Sequence, residues 1–231
     1  DEVIQLSQRA IALGTEWGAG IPLAASSYAH MSLAKILYHR NRLDEALHHG
    51  LRGIELSTEG TETTVDLMAF PVLALLSRLE STPGPIREAL ERTRRITLAS
   101  GNPFIVALSQ AWMARRALLQ GDLAQACRWA DSAGMNIRQV PDACQEAAHL
   151  TLVRVHLARG KTEGLPEALE PIRQRAQAEG RIGSLIEILA LQALALQAQH
   201  HPEEALERIE QALALAEPHG FIRVFVDEGP P

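Results

Sequence analysis

The chain has little of what strands, membrane spans, disulfides and DNA-gripping surfaces are made from. Aromatic residues are 4% of 231 positions, although hydrophobic residues reach 46% and alanine and leucine supply most of them. β-branched and aromatic residues, which strands favour, are scarce, so the chain reads as nearly all α. Cys127 and Cys144 are the only cysteines and have neither CxxC spacing nor a histidine at metal-finger distance. They are expected to be buried reduced thiols, a usage that fits a cytoplasmic protein. Lysine and arginine number 22 against 28 acids, a net charge of −6. A fragment that grips DNA phosphates usually has a basic balance, so direct nucleic-acid binding is not expected of these residues. No run reaches the roughly 18–20 apolar residues of a membrane span. The longest candidate, Ile186 to Ala198, is interrupted by Glu187, Gln192 and Gln197. The opening Asp1-Glu2-Val3 reads as the start of an amphipathic helix, so no signal peptide is expected there, and the missing initiator methionine leads to the expectation of a piece of something longer.

What is present is a repeat. Leu43-Asp44-Glu45-Ala46-Leu47, Ile86-Arg87-Glu88-Ala89-Leu90, Leu123-Ala124-Gln125-Ala126-Cys127, Pro166-Glu167-Ala168-Leu169 and Glu203-Glu204-Ala205-Leu206 share an alanine near the start of a helix. Aligning alanines 46, 89, 126, 168 and 205 gives steps of 43, 37, 42 and 37. Periods in this range belong to helical solenoids. The spacing predicts a first helix from Asp1 to Leu13, ended by Gly14, followed by five A–B helix pairs. These are Leu23–Tyr38 with Leu43–Ser57, Thr64–Glu80 with Pro85–Ser100, Pro103–Gln120 with Leu123–Ser132, Pro141–Arg159 with Pro166–Ala178, and Ile182–Gln199 with Pro202–Ala216. Pro71 inside its helix is expected to kink or break it. Gly101, Gly121, Gly134, Gly160, Gly180 and Gly220 fall near helix ends, where a left-handed residue is commonly required.

Ala34, Ala114 and Ala193 each stand twelve residues before Ala46, Ala126 and Ala205. Two small positions at one offset in three pairs point to the tetratricopeptide type of helix pair, stretched beyond its usual repeat of about 34 residues. The expected fold is therefore all-α: one domain over residues 1–231, a right-handed α-solenoid of about five such pairs plus a partial first helix. In the last segment, 220–231, Phe221, Val224 and Phe225 are expected to cap the open end before a linker begins.

Some of these phrases are family marks. Ala212-Leu213-Ala214-Leu215-Ala216-Glu217-Pro218, followed by Gly220-Phe221-Ile222-Arg223-Val224-Phe225-Val226-Asp227-Glu228-Gly229, resembles the end of the helical-repeat region of MalT-like, ATP-dependent LuxR-type regulators. Gln120-Gly121-Asp122-Leu123-Ala124-Gln125-Ala126-Cys127-Arg128-Trp129-Ala130 is similar to another phrase of that region. The resemblance implies a sensor and coupling arm that binds a small-molecule inducer or regulatory protein and biases self-association. It implies ATP on a separate upstream domain, with no cofactor here, and DNA contact only through a separate downstream helix-turn-helix. No GxxxxGK[ST] occurs in the chain, and the glycine cluster Gly14-Thr15-Glu16-Trp17-Gly18-Ala19-Gly20 lacks the lysine.

Counting six residues back from the turn residues Asn41, Gly121, Gly160 and His200 gives Lys35, Arg115, Arg154 and Leu194. In tetratricopeptide pairs this position tends to face the concave groove. A cationic row there suits a carboxylate, a phosphate or an acidic peptide. The competing reading pairs these cations with acids such as Glu187. Tyr28 on the first A helix is a further groove candidate. Trp17, Trp112 and Trp129 suit a ligand pocket or, more simply, core packing. His48-His49 and His200-His201 offer too few ligands for zinc, and ordinary i, i+4 pairing with Asp44, Glu45 and Glu204 explains them as well. No GxSxG elbow and no strands to carry one exist, so an enzyme is not expected. The alternative to a regulator's sensor arm is a stand-alone scaffold for peptide or protein partners.

Overall fold

A computed structural model describes residues 2–18, 26–57, 62–77, 79, 84–142 and 144–229. Asp1, Ala19-Gly20, residues 23–25 of the first expected A helix, Glu80, the Ser81-Thr82-Pro83 turn and Pro230-Pro231 lie outside the described residues. Among the described residues there are twelve α-helices and no strand. They are α1 Glu2–Trp17, α2 Ser26–His39, α3 Leu43–Ser57, α4 Glu62–Leu76, α5 Gly84–Ala99, α6 Pro103–Leu119, α7 Leu123–Ser132, α8 Glu146–Ala158, α9 Leu165–Ala178, α10 Ile182–Ala198, α11 Pro202–Ala216 and α12 Arg223–Val226. The chain forms two compact units, Asp1–Ser109 and Gln110–Pro231.

Helices α3, α7 and α11 coincide end to end with their sequence expectation. Three other expectations need correction. Gly14 does not end α1, which runs on to Trp17. Gly14 is buried there because a Cβ would lie 2.2 Å from Ser26 Oγ, so the glycine serves close helix approach instead of termination. Pro71 does not break α4, which is continuous across it. The residues that follow, Val72 to Leu76, are all buried, and their packing holds the last turn in place. Finally, α8 starts at Glu146, not Pro141. Asp142 caps a turn there by accepting from the Gln145 amide at 2.8 Å.

The pairing logic starts at the turns. Asn41, Gly121, Gly160 and His200 all have positive φ, between 59° and 79°. Glycine takes this conformation without a steric cost, and asparagine and histidine are the side chains next most often found there. Each turn is closed by the same two backbone bonds. At Gly121 the Asp122 amide reaches the Ala117 carbonyl at 2.9 Å and the Gly121 amide reaches Leu118 at 3.0 Å. The equivalents run from Arg42 to Leu37, Lys161 to His156 and His201 to Leu196. This is the Schellman closure of a helix C-terminus. The six glycines expected to be left-handed, at 101, 121, 134, 160, 180 and 220, are all so. Asn102 then caps α6 by accepting from the Phe104 and Ile105 amides, and Asp122 caps α7 through Gln125.

Five residues past the turn residue lie Ala46, Ala126, Leu165 and Ala205. All four are buried, and Ala46 and Ala126 are wholly so. The fourth pair therefore places Leu165, not Ala168, at the contact position, and Ala168 is only half-buried. Twelve residues before Leu165 stands Val153, also fully buried. Val153 and Leu165 thus fill the place that the other pairs give to two alanines. In this register the steps from Ala126 to Leu165 and from Leu165 to Ala205 are 39 and 40.

Within the first unit, α2 packs extensively on α3, and α4 on α5. Within the second, Val153, Leu165, Leu169, Ile172, Ile186, Ile188 and Leu191 form the centre of a core shared by α8, α9, α10 and α11. Phe221, Val224 and Phe225 pack against that core. Ala126→Leu is expected to lower stability by about 1–3 kcal/mol through overpacking, and Ala168→Leu by less than about 1 kcal/mol. Urea unfolding of the two variants checks this; equal losses would show that the turn does not set the register.

Candidate functional site

The second unit brings Arg115, Arg154 and Glu187 together. Arg115 follows Ala114 on α6, and Arg154 stands between the fully buried Val153 and Val155 on α8. Each lies six residues before a left-handed turn, so the shared register puts them at one height. They are 7% and 6% exposed. Of the two sequence readings, a ligand-holding row or cations paired with acids such as Glu187, these two positions show the pairing: Arg154 meets Glu187, and an acid from the tail sits between both arginines.

That acid is Glu228. After Ala216 a 3-10 turn, Glu217–His219, and left-handed Gly220 reverse the chain. Phe221, Val224 and Phe225 then seat α12 on the core. The Glu228 amide bonds back to the Phe225 carbonyl at 3.1 Å, and its side chain enters between the arginines. Arg115 Nη2 donates to Glu228 Oε1 at 2.9 Å. Arg154 Nε donates to Oε1 at 2.9 Å and Oε2 at 3.1 Å. Arg154 Nη2 donates to Glu228 Oε1 and to Glu187 Oε1, both at 2.6 Å. Glu187, on α10, keeps a third of its side chain in solvent.

Burial alone would raise the Glu228 carboxyl, but Arg115 and Arg154 outweigh it and hold it at about 2. Burial alone would lower the Arg154 guanidinium; Glu228 and Glu187 outweigh that and raise it. Arg115 is lowered by burial and by Arg154, yet a guanidinium retains its charge in water-accessible pH. Each ion is thus compensated, as a buried charge must be.

The remaining sequence candidates fall elsewhere. Tyr28 is half-buried and Lys35 exposed, both on α2 of the first unit. Trp17 is 77% exposed. Trp129 packs at the edge of a small core of Ala117, Ala126 and Val155, in keeping with a core role, and Trp112 is half-buried. The cysteines depart from expectation. Cys144 is exposed and Cys127 only half-buried, because Cys144 lies in the turns before α8 and Cys127 faces Arg159, whose Nε lies 3.0 Å from its sulfur. An open hollow of about 590 Å³ lies in the first unit, lined by Ile54, Arg87, Glu88, Glu91, Arg92 and Arg95 among others; it contains none of the candidates.

Sequence offers His49 only a metal or a partner on its own helix, yet its contact lies on another helix. His49 reaches across to His30 on α2, with Nδ1 to Nδ1 at 2.9 Å. One ring must donate and the other accept, so the pair cannot be doubly protonated. Burial, followed by repulsion from His49, Arg52 and His48, places His30 at about 4. Burial likewise lowers His49. Among the described residues no group of three or more histidine, cysteine or acidic side chains is placed to hold a metal ion. His201 pairs with Glu204 at 3.2 Å.

A family model for the MalT-like TPR region matches residues 2–231. No curated protein and no solved structure matches the chain. Among the described residues no helix is long and apolar enough to cross a membrane.

Two predictions follow from these geometries. Arg154→Ala removes three of the four donor contacts to Glu228 and leaves Arg115 alone beside it; it is expected to cost about 1.5–3 kcal/mol, read by denaturant unfolding, with lost hydrogen-exchange protection of residues 223–229, and an unchanged tail would show that Arg154 does not hold it. His30 binds its proton less readily folded than unfolded, so stability should fall as pH drops from 6.5 to about 4, by up to roughly 3 kcal/mol. His30→Gln should flatten that segment of the stability–pH curve; an unaltered slope would exclude His30 as its source.

Proposed function

Because the chain belongs to the MalT-like TPR region family, we propose that it is the sensing and oligomer-coupling arm of a LuxR-type transcriptional regulator. On this reading it is neither the ATPase nor the DNA-binding part, carries out no catalysis and needs no cofactor of its own. It works in the cytoplasm, and an inducer or regulatory protein binds its helical pairs. The binding energy then biases packing against another domain or protomer, a population shift between two states.

The observation that carries this reading is the attachment of the tail. Residues 221–229 are held on the helical pairs by three apolar side chains and by Glu228 between Arg115 and Arg154. A ligand that alters the position of α6 or α8 alters the hold on the segment leading out of the repeats. That is a direct mechanical route from a binding surface to whatever lies beyond.

The native reading frame is expected to encode a P-loop upstream of Asp1 and a helix-turn-helix downstream of Pro231, which sequencing on both sides checks. Finding neither would replace the regulator with the stand-alone scaffold for peptide partners.

A further inference from the structure

Arg115 and Arg154 come from two helices, are both more than nine-tenths buried, and aim at one point. The group at that point belongs to the short terminal segment, not to a neighbouring helix. Stability alone is a poor reason for such an arrangement, since desolvation offsets most of a buried ion pair's attraction and an apolar replacement is often as stable. The pair instead has the construction of a binding site. Arg154 offers Nε and Nη2 to the two oxygens of one carboxylate, and Arg115 adds a third donor. This is the forked recognition that guanidinium groups give to planar carboxylates.

Charge decides which anion fits. With Glu228 withdrawn, two guanidiniums and the Glu187 carboxylate leave one net positive charge. A single carboxylate neutralises it. A phosphate dianion would bring excess negative charge close to Glu187, which sits 2.6 Å from Arg154.

We propose that the Arg115–Arg154 pair is a carboxylate-binding site that Glu228 occupies as a tethered stand-in, and that entry of a carboxylate ligand expels the tail. This deepens the sensing-arm reading above and rests on it for its biological meaning. The anchoring of the tail suits release. Its helix has four residues, Ile222 and Val226 are exposed, and the hold rests on Phe221, Val224 and Phe225 and on a buried Arg223–Asp227 ion pair that lies within the tail and leaves with it. A tethered group competes at an effective concentration on the order of millimolar, so a ligand bearing only a carboxylate acts at high concentration and one with added contacts acts at lower.

The test uses the whole chain and follows hydrogen exchange of amides 223–229 during titration with acetate, phosphate or chloride at matched ionic strength, at a pH above the second ionisation of phosphate so that the dianion is the species present. Acetate is expected to speed exchange of these amides at least tenfold while leaving 185–196 of α10 unchanged. Phosphate and chloride are expected to leave both segments unchanged. No effect of acetate, or an equal effect of chloride, would overturn the proposal. Glu187→Gln, at a part-exposed position, raises the vacated site to two net positive charges. It is expected to shift preference toward phosphate by tenfold or more, and an unchanged preference for acetate would overturn the charge argument. A purely structural ion pair would show neither response. The flanking sequence reports on the regulator reading without touching this site, so the two ideas fail separately.

Discussion

Each A helix with a described turn ends in a residue of positive φ, and that torsion fixes where the next helix begins and which of its residues meets the A helix. The contact position five residues on is then a matter of geometry, not composition. Alanine at 46, 126 and 205 lets two backbones approach. Leucine at 165, facing Val153, occupies the same place in a pair of larger residues because the turn defines the position. The same register carries Arg115 and Arg154 to equal heights on two helices, so an ion site in the second unit is a by-product of how the chain turns corners. It also matches Tyr28 with Glu187, each thirteen residues before its turn.

The second unit invests in charge where its core is most complete. Glu146, at the start of α8, is buried and gripped by Arg175 and Arg181. Arg159, at its end, binds Asp131 through both terminal nitrogens and also reaches the Cys127 carbonyl. Between them Arg154 meets Glu228. One helix thus holds ionic contacts at its beginning, middle and end. Such contacts add little net stability, but they penalise any packing that separates the partners. They tie α8 to Asp131 of α7, to Arg175 of α9, to Arg181 at the start of α10 and to the tail.

The helical repeat was legible in the sequence because it depends on local signals: small residues, turn glycines and apolar periodicity. Three helices could be read to the residue. The errors arose where tertiary packing outweighs those signals. Gly14 looks like a terminator until Ser26 is seen against it, Pro71 looks like a breaker until the burial of Val72 to Leu76 is known, and Ala168 looks like the repeat's alanine until Gly160 fixes the register. Arg115, Arg154 and Glu187 could be singled out from sequence because they share helices with recognisable turns. Glu228 could not. It lies 74 residues from Arg154 and 113 from Arg115, on a tail whose acid was visible only as part of a family phrase. His30 was missed for a similar reason, since its partner His49 invites pairing with its own neighbours.

Seating of the tail also sets a length. Residues 221–229 are folded against the helices, so the chain leaves the repeat beside Arg154. Once freed, these nine residues could extend to roughly 30 Å, at about 3.3–3.6 Å each. On the regulator reading proposed above, a domain attached beyond Gly229 would then change from one held close to the helices to one on a leash, free to search a sphere of about 30 Å radius. On that reading, occupancy of the proposed carboxylate position would set the local concentration at which that domain meets its target.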